Sequence, residues 1–154
     1  MTTPSPLPAP LSVARPAKLT RRADWPVRLA RFLAAHEGRA FQFGTHDCSL
    51  FAADWVREAT GWDPAAAFRG CYDSRRSARR ALHAYGAGPL RDTVTAILGS
   101  PRRGVLYGQR GDVALIRAGD RHALGIVTGG EVMGAGRAGL VRVPLAMALK
   151  VWAI

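Results

Sequence analysis

Apolar residues recur at helical spacing through the first two-thirds of this chain and in short alternating runs through the last third. The first periodic run follows Asp24, which can cap a helix with Pro26 in its first turn. Leu29, Phe32, Leu33 and His36 share its face, and Gly38 stops it. A second helix is predicted from about Asp47 to Thr60, closed by Gly61. Its stripe is Cys48, Phe51, Ala52, Trp55, Val56 and Ala59. Ser74 can cap a third helix running through Ala78, Ala81, Leu82 and Tyr85 to Gly86. Leu90–Leu98 reads as a fourth, stopped by Gly99.

After Gly104 the period shortens. Asp112–Arg117 and Ala123–Thr128 read as strands joined by an Ala118-Gly119-Asp120 turn. Gly129-Gly130 is a tight connection into a strand at Glu131–Ala135. Leu140–Val143 follows as a strand, Pro144–Leu149 as a short helical turn and Val151–Ile154 as a last strand. Helices first and an antiparallel sheet second imply an α+β fold, with the second helix packed on a sheet built from residues 112–154. No internal repeat is visible.

Composition adds boundaries to this picture. At 154 residues the chain holds one domain with an extension. Residues 1–22 carry Pro4, Pro6, Pro8, Pro10 and Pro16 and a basic surplus without any acid, which favours extended backbone. The domain is expected over residues 23–154. A 48% hydrophobic content with 21% charged residues excludes a disordered chain. The apolar stretches are far shorter than the roughly 18 residues that cross a membrane, so no membrane span is expected. No secretory leader is legible. Cys48 and Cys71 are too few for a disulfide framework, and both are read as reduced thiols.

Charge changes the picture more. Lys and Arg total 22 against 11 Asp and Glu, and only Lys18 and Lys150 are lysine, leaving 20 arginines. Such a surplus suits anionic partners such as nucleic acid, cell-wall polymers or an acidic protein surface. Arg75, Arg76, Arg79 and Arg80 concentrate it on one and a half turns of the third helix. They form a solvated face or an anionic docking site. Arg110-Gly111-Asp112 is read as a turn leading into a strand rather than an adhesion signal.

Cys48 is the candidate centre. A thiol in the first turn of a helix meets the positive end of the dipole and unpaired N–H groups, which favour thiolate. The alternative is a small core residue on the apolar stripe. His46 precedes Cys48 by two residues and is a possible base or orienter. His36 and His83 read as exposed or edge histidines. His46, Asp47, Cys48 and Cys71 lack the spacing of a zinc site, so no metal and no cofactor are expected. Cys71 is expected to pack in a turn.

Phe41-Gln42-Phe43-Gly44 followed by Asp47-Cys48-Ser49 resembles the nucleophile motif of the NlpC-like cysteine peptidases, papain-fold enzymes that cut bacterial cell-wall peptides. Arg110–Leu115 resembles that family's Gly-Asp approach to its first strand, and Leu124-Gly125-Ile126-Val127 with Gly129-Gly130 its next strand and hairpin. The resemblance covers roughly residues 25–154. It implies a papain-like, NlpC-type α+β fold with Cys48 as nucleophile after Asp47. Trp25-Pro26, His46-Asp47-Cys48 and the closing Pro144–Trp152 segment resemble a compact branch encoded in phages, prophages and gene-transfer agents. That branch implies a virion location and neighbours among tail-tip and hub proteins.

The family's catalytic histidine position falls at Ala123, with His122 one residue out, and the orienting position falls near Gly134. If Ala123 faces Cys48, alternation turns His122 away unless a bulge restores it. The expectation is therefore a tail protein with a degenerate peptidase site. The alternatives are an active cysteine peptidase or amidase acting on peptidoglycan, with His122 or His46 as base, and a basic nucleic-acid-binding module.

Overall fold

The computed structural model describes residues 15–154, and the expected extension falls largely outside them. Four helices precede a five-stranded sheet. Helix α1 (Trp25–His36) begins at Asp24, but that carboxylate accepts from Arg28 Nε at 2.7 Å instead of capping the backbone. Helix α2 (Cys48–Thr60) is capped by its side chain: Asp47 Oδ1 accepts the Leu50 N–H at 2.9 Å. Gly61 closes the helix at φ 83°, a left-handed conformation that glycine adopts freely. Helix α3 (Arg75–Tyr85) opens on a Ser74–Ser77 capping box. Helix α4 (Leu90–Leu98) runs from Pro89 to Gly99.

The α2 stripe is wider than a single face. Leu50 and Ala53 are buried along with Phe51, Ala52, Trp55, Val56 and Ala59. The reason is that α2 is enclosed on several sides. Phe51, Trp55 and Ala59 meet Leu29 of α1, Ala52 and Val56 meet α4 and the sheet, and Leu50 and Ala53 meet the segment carrying Ala65 and Tyr72.

The strands are β1 (Val113–Ala118), β2 (Arg121–Val127), β3 (Glu131–Gly136), β4 (Gly139–Pro144) and β5 (Lys150–Trp152), in the order β4-β3-β2-β1-β5. Every neighbouring pair is antiparallel. A short 3-10 turn at Leu145–Met147 carries the chain to the far edge. A second, at Val105–Tyr107, was not expected from the sequence. Val113, Leu115, Leu124 and Ile126 face the helices, while Ala114, Ile116, Val127 and Val132 face the Leu145–Ala148 turn. This is the expected α+β arrangement.

Asp112 ties the body together. It is fully buried, with Oδ1 accepting from Arg21 Nη2 at 3.0 Å and Oδ2 from Arg102 Nε and the Gln109 N–H, both at 2.8 Å. Arg21 also donates to the carbonyls of Arg110 and Ile154, each at 2.7 Å. The Arg22 N–H donates to the Ala59 carbonyl at 2.7 Å. Two residues read as part of the extension are thus joined to the domain. The Arg110-Gly111-Asp112 triplet is a strand approach with its carboxylate sealed inside.

Candidate functional site around Cys48

Cys48 is the first residue of α2 and is half-buried as a residue. Asp47, immediately before it, is buried and fully used. Oδ1 caps the helix, while Oδ2 accepts the Gly44 N–H at 2.9 Å and the Tyr72 hydroxyl at 2.6 Å. These bonds fix the Gly44–Asp47 loop and draw Tyr72 over the helix start. Burial and the Asp47 partner push the Tyr72 phenol further from ionisation. Asp47 is therefore a positioning residue, and its charge disfavours a second anion beside it.

The thiol is packed among protein atoms, and that burial raises its pKa above the ordinary cysteine value. The Leu124 backbone amide and Ser49 oppose the rise, and the Asp47 charge adds to it. The Leu124 amide is available for a structural reason: β3 pairs with β2 only at Ile126–Met133 and Val127–Val132, leaving upstream β2 amides to other partners. The side-chain contact of the sulfur is Ser49 Oγ at 3.9 Å, and no histidine bonds it among the described residues.

Neither sequence-predicted base hydrogen-bonds the sulfur among the described residues. His46 is 1% exposed, and neither ring nitrogen has a hydrogen-bond partner among the described residues. It stacks on His36, with ring centroids 5.4 Å apart, and meets Phe51 edge-on. Burial, then the charges of Arg39 and His36, hold it below the usual histidine range. His36, read as an edge residue, is half-buried in that stack, with Nδ1 2.7 Å from the Phe32 carbonyl.

His122 does not turn away from α2. Ala123 packs with Ile116 and Val143 on the face away from α2, so it does not face Cys48. The β1–β2 register is unbroken through Arg117–His122, with no bulge. His122 therefore lies on the α2 side of the sheet with Leu124, at an exposed strand end. At Gly134 a β-carbon would come 3.3 Å from the Leu124 carbonyl, so an orienting side chain has little room there.

Beside Cys48, past Ser49, lies a cavity of about 110 Å3 between α2, α3, α4 and the sheet. Ala53, Phe68, Leu82 and Val94 are among its mostly apolar walls, and Tyr72 and Ser49 are its polar edge on the Cys48 side. Cys71 does not pack as expected. It is exposed, and its thiol donates to the Ala67 carbonyl at 3.3 Å, because Tyr72 and not Cys71 turns inward. No group of three or more His, Cys, Asp or Glu side chains converges on a metal position among the described residues. No described helix is long and apolar enough to cross a membrane.

A family model for a domain of unknown function, DUF6950, matches residues 20–154. The chain belongs to the DUF6950 family. No curated protein matches it. The DUF6950 match begins just before Arg21, and so takes in the arginine that closes on Asp112. Sequence reasoning missed Tyr72 and the Leu124 amide. Tyr72 sits outside any periodic run, and a backbone amide has no sequence signature.

Proposed function

We propose that this DUF6950 domain is a structural component of a phage or phage-like tail, near the tail tip, built on an NlpC-like peptidase fold whose catalytic machinery has lapsed. The observation that carries the second half is the Cys48 thiol: raised in pKa, bonded to no base among the described residues, and placed next to a carboxylate already committed to the helix cap. A nucleophilic cysteine needs an adjacent base or a lowered pKa; burial raises this one's, and no histidine hydrogen-bonds it among the described residues. The order of elements, four helices and then an antiparallel sheet with a cysteine opening the second helix, supports the fold reading. The tail placement rests on the motif resemblance, and its partners would be other tail-tip or hub proteins.

Iodoacetamide labelling of Cys48 against pH, in a Cys71→Ser background, tests the lapsed site. The expected outcome is labelling only above about pH 8.5, the range of an ordinary or buried thiol. Labelling that persists below pH 7 overturns it. Purified particles carrying the chain at the tail tip would support the tail placement, and its absence from them would remove it.

One observation favours the second reading, an active peptidase or amidase acting on peptidoglycan. His122 shares the α2 side of the sheet with Leu124, whose amide serves the thiol. Peptidoglycan digestion lost in both Cys48→Ala and His122→Ala would establish that reading.

A further inference from the structure

The outer face of α3 is the feature that the proposed function leaves unused. The helix contains no acidic residue. Arg76, Arg79, Arg80 and His83 are exposed and line one shallow concavity together with Ala84. Their spacing of three, four and seven residues puts them on one side of the helix, over about 10 Å at a rise of about 1.5 Å per residue. None of the three arginines is ion-paired among the described residues, whereas Arg21, Arg28, Arg69 and Arg102 all have carboxylate partners within 3.0 Å. The strip continues at the helix start. Arg75 lies 4.0 Å from Asp120, which places the tip of the β1–β2 hairpin, with exposed Arg117 and Arg121, beside it.

From this face we infer a binding surface for the phosphate backbone of duplex nucleic acid, read without sequence preference. Two properties decide the class of partner. A protein partner generally buries an apolar or aromatic centre inside a polar rim. This face has none, and the exposed large apolar residues of the domain lie elsewhere, at Val27, Leu106, Tyr107, Val141, Met147 and Leu149. A single strand is held on successive aromatic platforms as well as charge, and among the described residues this concavity offers one imidazole, His83, and no Phe, Tyr or Trp. What remains is a row of guanidinium forks against a dense linear array of phosphates, assisted by a net charge of +11.

The test is fluorescence anisotropy of a labelled random-sequence DNA duplex with the full chain, from 50 to 200 mM salt. Two variants with the same charge change are compared: Arg76→Gln/Arg79→Gln/Arg80→Gln, and Arg31→Gln/Arg57→Gln/Arg137→Gln at exposed positions elsewhere. Glutamine keeps helix propensity, and circular dichroism checks that both variants fold. Three phosphate contacts contribute about −2.7 to the slope of log K against log salt, so the α3 variant should flatten the slope by about that amount. At 50 mM salt it should bind at least about 10-fold more weakly, while the control variant changes less than about 3-fold. Three results overturn the inference: no binding at 50 mM salt, equal losses in the two variants, or polyglutamate displacing the duplex as well as unlabelled DNA at equal charge. The last would assign the face to an acidic protein surface.

Discussion

Asp47 carries more structure than its place in a nucleophile motif suggests. One carboxylate caps α2, holds the Gly44 amide and accepts from Tyr72, so its loss removes three bonds from a buried place. A helix cap is worth about 1 kcal/mol, and each buried group left unpaired costs about 1–3 kcal/mol. Asp47→Ala should therefore destabilise by about 2–4 kcal/mol in urea unfolding, and Tyr72→Phe by about 1 kcal/mol. If Asp47→Ala is neutral, the cap and its bonds are not formed. His46 gives a pH signature. Its folded pKa lies below the unfolded value of about 6.5, so the unfolded chain binds the proton more readily. Its contribution is whole above about pH 6.5 and is lost as pH falls below that. Between pH 7 and 5 the wild type should lose stability more steeply than His46→Phe, in urea unfolding at each pH. Parallel curves would remove the assignment. Cys48, Asp47 and His46 stood out in the sequence because residue type and spacing are local. Their surroundings did not, because Tyr72 closes on Asp47 from 25 residues away, His46 is buried where two helices meet, and Leu124 reaches Cys48 from a strand more than 60 residues on.

Among the elements, the helices were more legible than the sheet contacts that give the site its character. α2, α3 and α4 end where Gly61, Gly86 and Gly99 predict, since caps and stops are local chemistry. The face of β2 was a different matter. Alternation gives relative orientation only, and the absolute choice depends on which set of side chains meets α2. Leu124 and Ile126 meet it, which carries His122 to the same side and Ala123 to the other. Gly125 is the element-scale requirement of this register. A β-carbon there would lie 2.6 Å from Val132 Cγ1 and 2.7 Å from the Met133 carbonyl. Gly125→Ala should push β3 off β2 and cost about 1–3 kcal/mol, as overpacking in a fixed core does. A denaturation midpoint equal to wild type would show that β3 yields without cost.

At the scale of the whole molecule, Asp112 joins Arg21, the segment carrying Arg102, and the chain end at Ile154. The Trp55 indole donates to the adjacent Gly111 carbonyl at 2.8 Å, linking α2 to the same junction. Removing one partner of a buried ion pair strands the other charge, so Asp112→Ala should cost about 3–5 kcal/mol. A loss below about 1 kcal/mol in urea unfolding would mean that Arg21 and Arg102 find water instead. By itself, the sequence determined the four helices, the antiparallel strands after Gly104, the α+β class, the position of Cys48 at a helix start and the basic face of α3. Each of these follows from periodicity, capping and composition, which act over a few residues. Only the tertiary structure decided that Cys48 is half-buried with no histidine bonded to it among the described residues, that His46 is buried in a stack with His36, that Tyr72 closes on Asp47 and that Arg21 belongs to the domain. Those outcomes depend on which distant surfaces meet, because burial and pairing set the charge state of a group, and neither is written in its immediate neighbours.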